Sequence, residues 1–395
     1  MYVVDLSFLA DNLIKPTQRQ LMIQSVKSVP AFDNKQQYAA IEAEVSTAVL
    51  SVLSSGRYIG GPIIDEFEQA FAAYHGISNC IACNSGTDAL YLALRALDIG
   101  AGDEVITTAF TFIATSEVVS AVGAKPVFVD IDANTYNLNL EQVAKAITPN
   151  TKAIIPVHLF GQPVHMTALM EIANAHKIAV IEDCAQSTGA TWNEQKVGSI
   201  GHIGAFSFYP TKNLGGCGDG GAITTNDPEI AQRMRVIKNH GQSNQYYYNE
   251  VGVNSRLDSI QAVILKIKLK YLDEWNTKRK TIASRYSEFL SRVPGIIIPQ
   301  ELPGGASVWN QYTIRILDNK REVVRKKLQD MGVNTMIYYP MPLHLQPVYK
   351  DLGYKEGQLP ICEQLSKEVT SLPMFPELSS EQQDQVIYSI KEVMT

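Results

Sequence analysis

Between residues 80 and 181, short apolar runs alternate with stretches that repeat their apolar residues at helical spacing. Residues 80–83, 104–107, 126–129, 153–157 and 179–181 read as buried strands. Residues 89–97, 113–122, 140–147 and 166–176 read as the helices between them. This alternation predicts βαβ units and a mostly parallel sheet. A further apolar run at 205–208 follows. Upstream, Ala39, Ala40, Ala43, Val45, Val49 and Leu53 mark a helix over 36–53. A Gly-rich break follows, and Pro62 suits the first turn of a helix running to about Tyr74.

After Gly221 the period changes, with a strand at 222–225 and a helix at 228–238. A long helical stretch covers 259–293 with a break near Trp275, followed by a strand at 308–316 and a helix at 321–331. The pattern predicts an extension over residues 1–28 with a helix near 18–27, a large domain over 29–270, and a small α+β domain over 271–395. The expected fold is α/β: a three-layer α/β/α large domain with a mostly parallel mixed sheet, plus that smaller α+β domain.

Composition narrows the function classes. The 395 residues allow a large core, and a hydrophobic share of 45% argues against disorder. Net charge is 34 − 40 = −6 with no basic block, which speaks against nucleic acid or a membrane surface as main partner. The N-terminus lacks the basic start of a signal peptide, and no window approaches the ~20 apolar residues of a membrane span. With five cysteines, an odd count, the expectation is a reducing cytoplasm. Cys80 and Cys83 have C-x-x-C spacing but lie in an apolar run without a second pair, so they read as buried strand residues. The seven histidines show no metal spacing.

Candidate chemistry gathers at strand ends, where open α/β sheets hold ligands. The run 179–181 ends in Glu182 and Asp183, and the run 205–208 leads to Lys212. Asp183 could cap the next helix or face a cationic ring nitrogen. Lys212 could be a solvated loop lysine, although Phe206, Phe208 and Tyr209 surround it in sequence; burial would make it a covalent catalyst. Asn84-Ser-Gly-Thr-Asp88 opens a helix. The amides of Gly86 and Thr87 could hold a phosphate there, or Ser85 or Thr87 could simply cap it. The glycines of 215–221 precede a strand rather than a helix, which excludes a dinucleotide loop. Phe110 and Phe112 are core residues or a flat face for a ring.

Taken together, these segments resemble the DegT/DnrJ/EryC1/StrS family of pyridoxal-phosphate sugar aminotransferases, of aspartate aminotransferase-like fold type I. The likeness runs from Val29 to about Pro376 through Asn84-Ser-Gly-Thr-Asp-Ala-Leu90, Thr111-Phe-Ile-Ala-Thr115, Glu182-Asp-Cys-Ala-Gln186, Phe206-Ser-Phe-Tyr-Pro-Thr-Lys212, Asn254-Ser-Arg-Leu257 and Tyr339-Pro-Met-Pro-Leu-His344. The resemblance implies pyridoxal 5'-phosphate as an internal aldimine on Lys212, with Asp183 at the pyridine nitrogen and Gln186 at the phenolic oxygen. Phe112 would stack on one face and Ala185 lie against the other. Gly86, Thr87 and Ser207 would hold the phosphate, with Asn254 reaching it from the second subunit of a homodimer.

The implied reaction is ping-pong transfer from L-glutamate to a nucleotide-diphosphate-linked ketosugar, at C3 rather than C4, in amino-sugar, surface-polysaccharide or glycoconjugate biosynthesis. Arg256 and His344 are the expected substrate contacts. The alternatives are a 4-keto-sugar aminotransferase, a non-catalytic regulatory member, and a sugar dehydratase of the same fold. The dehydratases carry histidine in place of the lysine, so Lys212 argues against that reading.

Overall fold

Seven strands make the central sheet of the computed structural model, which describes residues 28–395. The helix expected at 18–27 lies outside the described residues. The strands are β1 (Asn79–Cys83), β2 (Glu104–Thr108), β3 (Lys125–Val129), β4 (Thr151–Ile155), β5 (Ala179–Asp183), β6 (Ile203–Ser207) and β7 (Gly221–Thr225). Their spatial order is β1-β7-β6-β5-β4-β2-β3. From β6 to β3 all neighbours are parallel, whereas β7 runs antiparallel to both β1 and β6.

The alternation of side chains across the sheet gives each face its own core. Ile181, Ile203, Ala205 and Ile223 meet α3 (Gly86–Ala96) and α7 (Pro228–Ile237) on one side. On the other side Phe206 and Ala222 meet α2 (Pro62–His75) and α8 (Ser259–Leu269), while Ile106, Ile154 and Val180 meet α6 (Met166–His176). The result is the three-layer α/β/α arrangement. Cys80 and Cys83 lie buried in cores on opposite faces of β1, so they form no pair.

A separate three-stranded sheet has β8 (Ile296–Ile297), β9 (Tyr312–Ile316) and β10 (Val369–Leu372), all antiparallel. It packs on α9 (Leu272–Leu290) and α12 (Ser380–Met394) through Tyr286, Leu290, Val386 and Ile390. Helix α9 begins in the core of the large sheet with Leu272 and ends in this second core with Leu290.

Two boundaries depart from the pattern. The chain turns at Lys270–Tyr271, not near Trp275, because both corner side chains fasten to Glu44 on α1 (Lys35–Ser55). Trp275 itself continues α9 and is buried against that helix pair. The strand expected at 308–316 starts only at Tyr312. Trp309 adopts a left-handed φ of 48°, and its carbonyl accepts from the buried guanidinium of Arg279 rather than from a strand.

Gly221 is set directly against the turn that opens α3. A Cβ there would collide with the Ser85 carbonyl and come within 2.9 Å of the Gly86 nitrogen. Gly221→Ala is therefore expected to cost about 1–3 kcal/mol, because backbone rather than a flexible side chain must move. A thermal-denaturation midpoint equal to that of the wild type would contradict this packing.

Candidate active site

The C-terminal ends of β5 and β6 and the start of α3 bring the chemistry together. Asp183, the last residue of β5, is buried, and both its oxygens are occupied. Oδ1 accepts from the Ala185 amide at 3.1 Å, and Oδ2 accepts from the Thr115 hydroxyl at 2.8 Å. Burial pushes the carboxyl up, while these two donors and the charge of Lys212 pull it back towards ionisation. Thr115 is backed in turn by the Thr111 hydroxyl at 3.1 Å.

Lys212 lies in the turn after β6, where its amide donates to the Tyr209 carbonyl at 2.9 Å. Desolvation lowers its ammonium to a pKa of about 8, and Asp183 opposes the shift. The lysine is thus neither a solvated loop residue nor a permanently charged one.

Ser85 caps α3 through its side chain, which accepts from the Asp88 amide at 3.0 Å. The cap does not compete with anion binding, because the Gly86 and Thr87 amides belong to the first turn and have no acceptor within the helix. Ser207 faces this turn so closely that a Cβ on Gly86 would stand 2.7 Å from its own Cβ. Glycine therefore leaves a small cradle bounded by Ser207, with a shape and donor set suited to a phosphate.

Gln186 is oriented before any ligand arrives. Its Oε1 accepts from the Phe160 amide at 2.7 Å, and its Nε2 donates to the Tyr339 hydroxyl at 3.2 Å. Phe160 has a left-handed φ of 59°, which turns that amide towards the glutamine. Tyr339 also lies 6.4 Å from the Phe112 ring, centroid to centroid. Phe112 is 57% exposed, an open aromatic face rather than a core residue, whereas Phe110 is buried. Ala185 is half-buried beside Asp183.

Three expected residues stand apart from this cluster. Asn254 is exposed, and its backbone bridges Asn239. Arg256 donates to the Asn239 side chain at 3.1 Å. The neighbouring Ser255 hydroxyl accepts from the Asn84 amide at 3.2 Å, which ties this segment to the cradle turn. His344 is buried, with Nε2 3.0 Å from Glu363 Oε1, so no face of the ring is open to a large ligand.

Sequence reasoning gave no role to Thr115, Tyr339 or the pair beneath Asp183. Thr115 had a signal in its i, i+4 spacing from Thr111 at a helix start. The buried Glu182 takes His158 Nε2 at 3.0 Å and the amides of Gly198, Ile200 and Gly201. Since His158 Nδ1 accepts from the Val164 amide, its Nε2 carries the proton donated to Glu182. Cys184 lies next to this pair, but all three are buried and the pair is fully hydrogen-bonded, so they form no open metal site.

This geometry accompanies a clear relationship. Residues 39–391 match the DegT/DnrJ/EryC1/StrS aminotransferase family, and the chain belongs to that family. A pleiotropic regulatory protein of Geobacillus stearothermophilus is 48% identical over 92% of this chain and 98% of its own length. The dTDP-3-amino-3,4,6-trideoxy-alpha-D-glucose transaminase of Streptomyces venezuelae is 44% identical, over 92% of this chain and 96% of its own length. Among solved structures, S. venezuelae DesV in complex with a ketimine intermediate has a TM-score of 0.91 at 43% identity. That match covers 93% of this chain and 99% of DesV. NtdA from Bacillus subtilis with bound cofactor PMP has a TM-score of 0.88 at 34% identity, covering 94% and 86%.

The apoprotein should react with an amine-directed reagent at Lys212 with a midpoint near pH 8, below the ~10.4 of an ordinary lysine. Asp183→Asn removes the charge that favours the ammonium, so the midpoint should fall further. Peptide mapping across a pH series reads both, and a midpoint that rose in the variant would contradict the assignment of their coupling.

Proposed function

We propose that this chain is a pyridoxal 5'-phosphate-dependent aminotransferase that moves an amino group from L-glutamate to C3 of a nucleotide-diphosphate-linked ketosugar, in cytoplasmic amino-sugar biosynthesis. The observation that carries the reading is Lys212, lowered to about 8 and coupled to a buried, doubly hydrogen-bonded Asp183. Family membership and the PMP-bound neighbour support the cofactor. The C3 position is supported by the S. venezuelae relative, whose name specifies a 3-amino sugar.

When bound, the cofactor supplies an electron sink for the amino acid's α-carbon. The protein supplies everything else. Lys212 would hold the cofactor and, once released from it, would take and return the proton at the amino donor's α-carbon. An amine with a pKa of about 8 can accept and return that proton near neutrality. Asp183 would face the ring nitrogen, and the Thr115 and Ala185 donors oppose the burial that raises its carboxyl. Gln186 offers its Nε2 to the phenolic oxygen, since its carbonyl is committed to Phe160. Phe112 and Ala185 flank the ring, and Gly86, Thr87 and Ser207 receive the phosphate.

The reading includes a homodimer with shared sites. Asn254 is exposed, as are Tyr246, Tyr247, Tyr248 and Val251 shortly before it in the chain, and in a second copy it would meet the phosphate. Arg256 serves the substrate's negative charge. His344 acts by holding the segment that carries Tyr339, since its own ring is enclosed. A division near residue 270 between cofactor-binding and smaller domains belongs to the same proposal.

A second reading follows from the Geobacillus relative, named as a regulator. A binding protein has no use for a lysine of lowered proton affinity opposite a supported carboxylate, so the catalytic reading is preferred. Borohydride treatment of the cofactor-loaded protein should trap a pyridoxyl group on Lys212, and L-glutamate should bleach the visible band. A panel of nucleotide-linked 3- and 4-ketosugars, read by mass spectrometry, should then give a 3-amino product. Lys212→Ala should lower turnover at least about 10⁴-fold, because covalent and acid–base roles are lost together. Unchanged turnover, or no response to any amino donor, would leave the regulatory reading standing.

A further inference from the structure

Lys212 belongs to a segment with little regular structure of its own. From Tyr209 to Gly220 the chain is neither helix nor strand. What fixes the lysine must therefore come from outside, and the two residues flanking it show how. The Thr211 carbonyl accepts from Asn310 Nδ2 at 3.2 Å. The Asn213 side chain donates to Asn276 Oδ1 at 2.8 Å and to the Val308 carbonyl at 2.9 Å. Both grips come from beyond residue 270. Resting on the reading of Lys212 as the cofactor-bearing lysine, we propose that Asn276 and Asn310 are positioning residues that set Lys212 from the far side of the molecule.

The two asparagines are themselves held by one helix face. Asn276 lies on α9 and donates its Nδ2 to the Thr188 carbonyl at 3.1 Å, just beyond Gln186. Arg279 follows it at i+3, on the same side of the helix. Its buried guanidinium donates to the carbonyls of Trp309, Asn310 and Met374, at 3.2, 3.3 and 3.1 Å. That clamp fixes the left-handed turn at Trp309 from which Asn310 reaches Thr211. The fit is close: a Cβ on Gly189 would lie 2.7 Å from Asn276 Nδ2, and one on Gly161 would lie 2.9 Å from the Asn310 nitrogen.

An energetic oddity separates positioning from mere packing. Among the described residues, Asn213 Oδ1 and Asn310 Oδ1 are buried without a hydrogen-bond partner. A buried acceptor left without a partner is unfavourable to folding. Both amides spend their donors on the lysine's segment and its support while their acceptors go unused.

The test uses full-length Asn276→Ala and Asn310→Ala proteins beside the wild type. The rate at which added pyridoxal phosphate becomes borohydride-fixed on Lys212 is followed across a pH series by peptide mass spectrometry. Each variant should couple roughly 10–100-fold more slowly, as expected for a displaced reacting group. Its midpoint should move up towards that of an ordinary lysine as water enters, and amide exchange over 209–216 should rise. Variants matching the wild type in rate and midpoint would overturn the inference while leaving the role of Lys212 intact. A wild type that never forms the link would instead sink the reading on which it rests. If a variant does not fold, wild-type exchange decides: residues 209–216 should exchange in step with 272–279. Exchange there about 100-fold faster than in the helix would overturn the grip.

Discussion

Burial raises the carboxyl of Asp183, and the proposed chemistry depends on the groups that oppose that rise. The carboxylate is sustained by a backbone amide, a threonine hydroxyl and a nearby lysine, each from a different part of the chain. The dependence is mutual, because the same burial that raises Asp183 lowers Lys212. Neither residue has its useful proton affinity in isolation. The parallel sheet matters chiefly because it ends β5 and β6 side by side, so that the acid closes one strand and the lysine follows the next.

Around that pair lies a layer of residues that touch no reacting atom yet fix those that do. His158 joins it twice, through its ring to Glu182 and through its amide to the Asp183 carbonyl at 3.1 Å. Two residues on, the Phe160 amide holds Gln186. A single turn after β4 thus holds two side chains, Glu182 on β5 and Gln186 just beyond it. The left-handed backbone at Phe160 and Gly161 is what allows one short turn to do both.

Much of this was legible in the chain. Alternating apolar runs located all seven strands of the main sheet, because a parallel sheet buried on both faces writes itself as short continuous apolar stretches. Asp183 and Lys212 stood out for the same reason, as charges at the mouths of such stretches. The misses have a common cause. The corner at Lys270–Tyr271 depends on Glu44, more than two hundred residues away, and the late start of β9 depends on Arg279. Thr115 and Tyr339 look ordinary until the fold brings them to Asp183 and Gln186. Nothing near His344 in the sequence shows that Glu363 holds its ring inside. Local pattern carries no record of such distant partners.

The sheet order also has a consequence in time. β1 has a single neighbour, β7, from which it is separated by well over a hundred residues. The turn that opens α3 leaves the ribosome early, but its walls, Ser207 and Gly221, come only after the β6 and β7 segments have been made. On the proposed reading, the phosphate cradle lacks its walls in a nascent chain while that sheet is incomplete. Such long-range closure is slow to form. The protein must therefore assemble almost all of its large sheet before it can acquire the group that gives it chemistry, and a truncated product would remain empty.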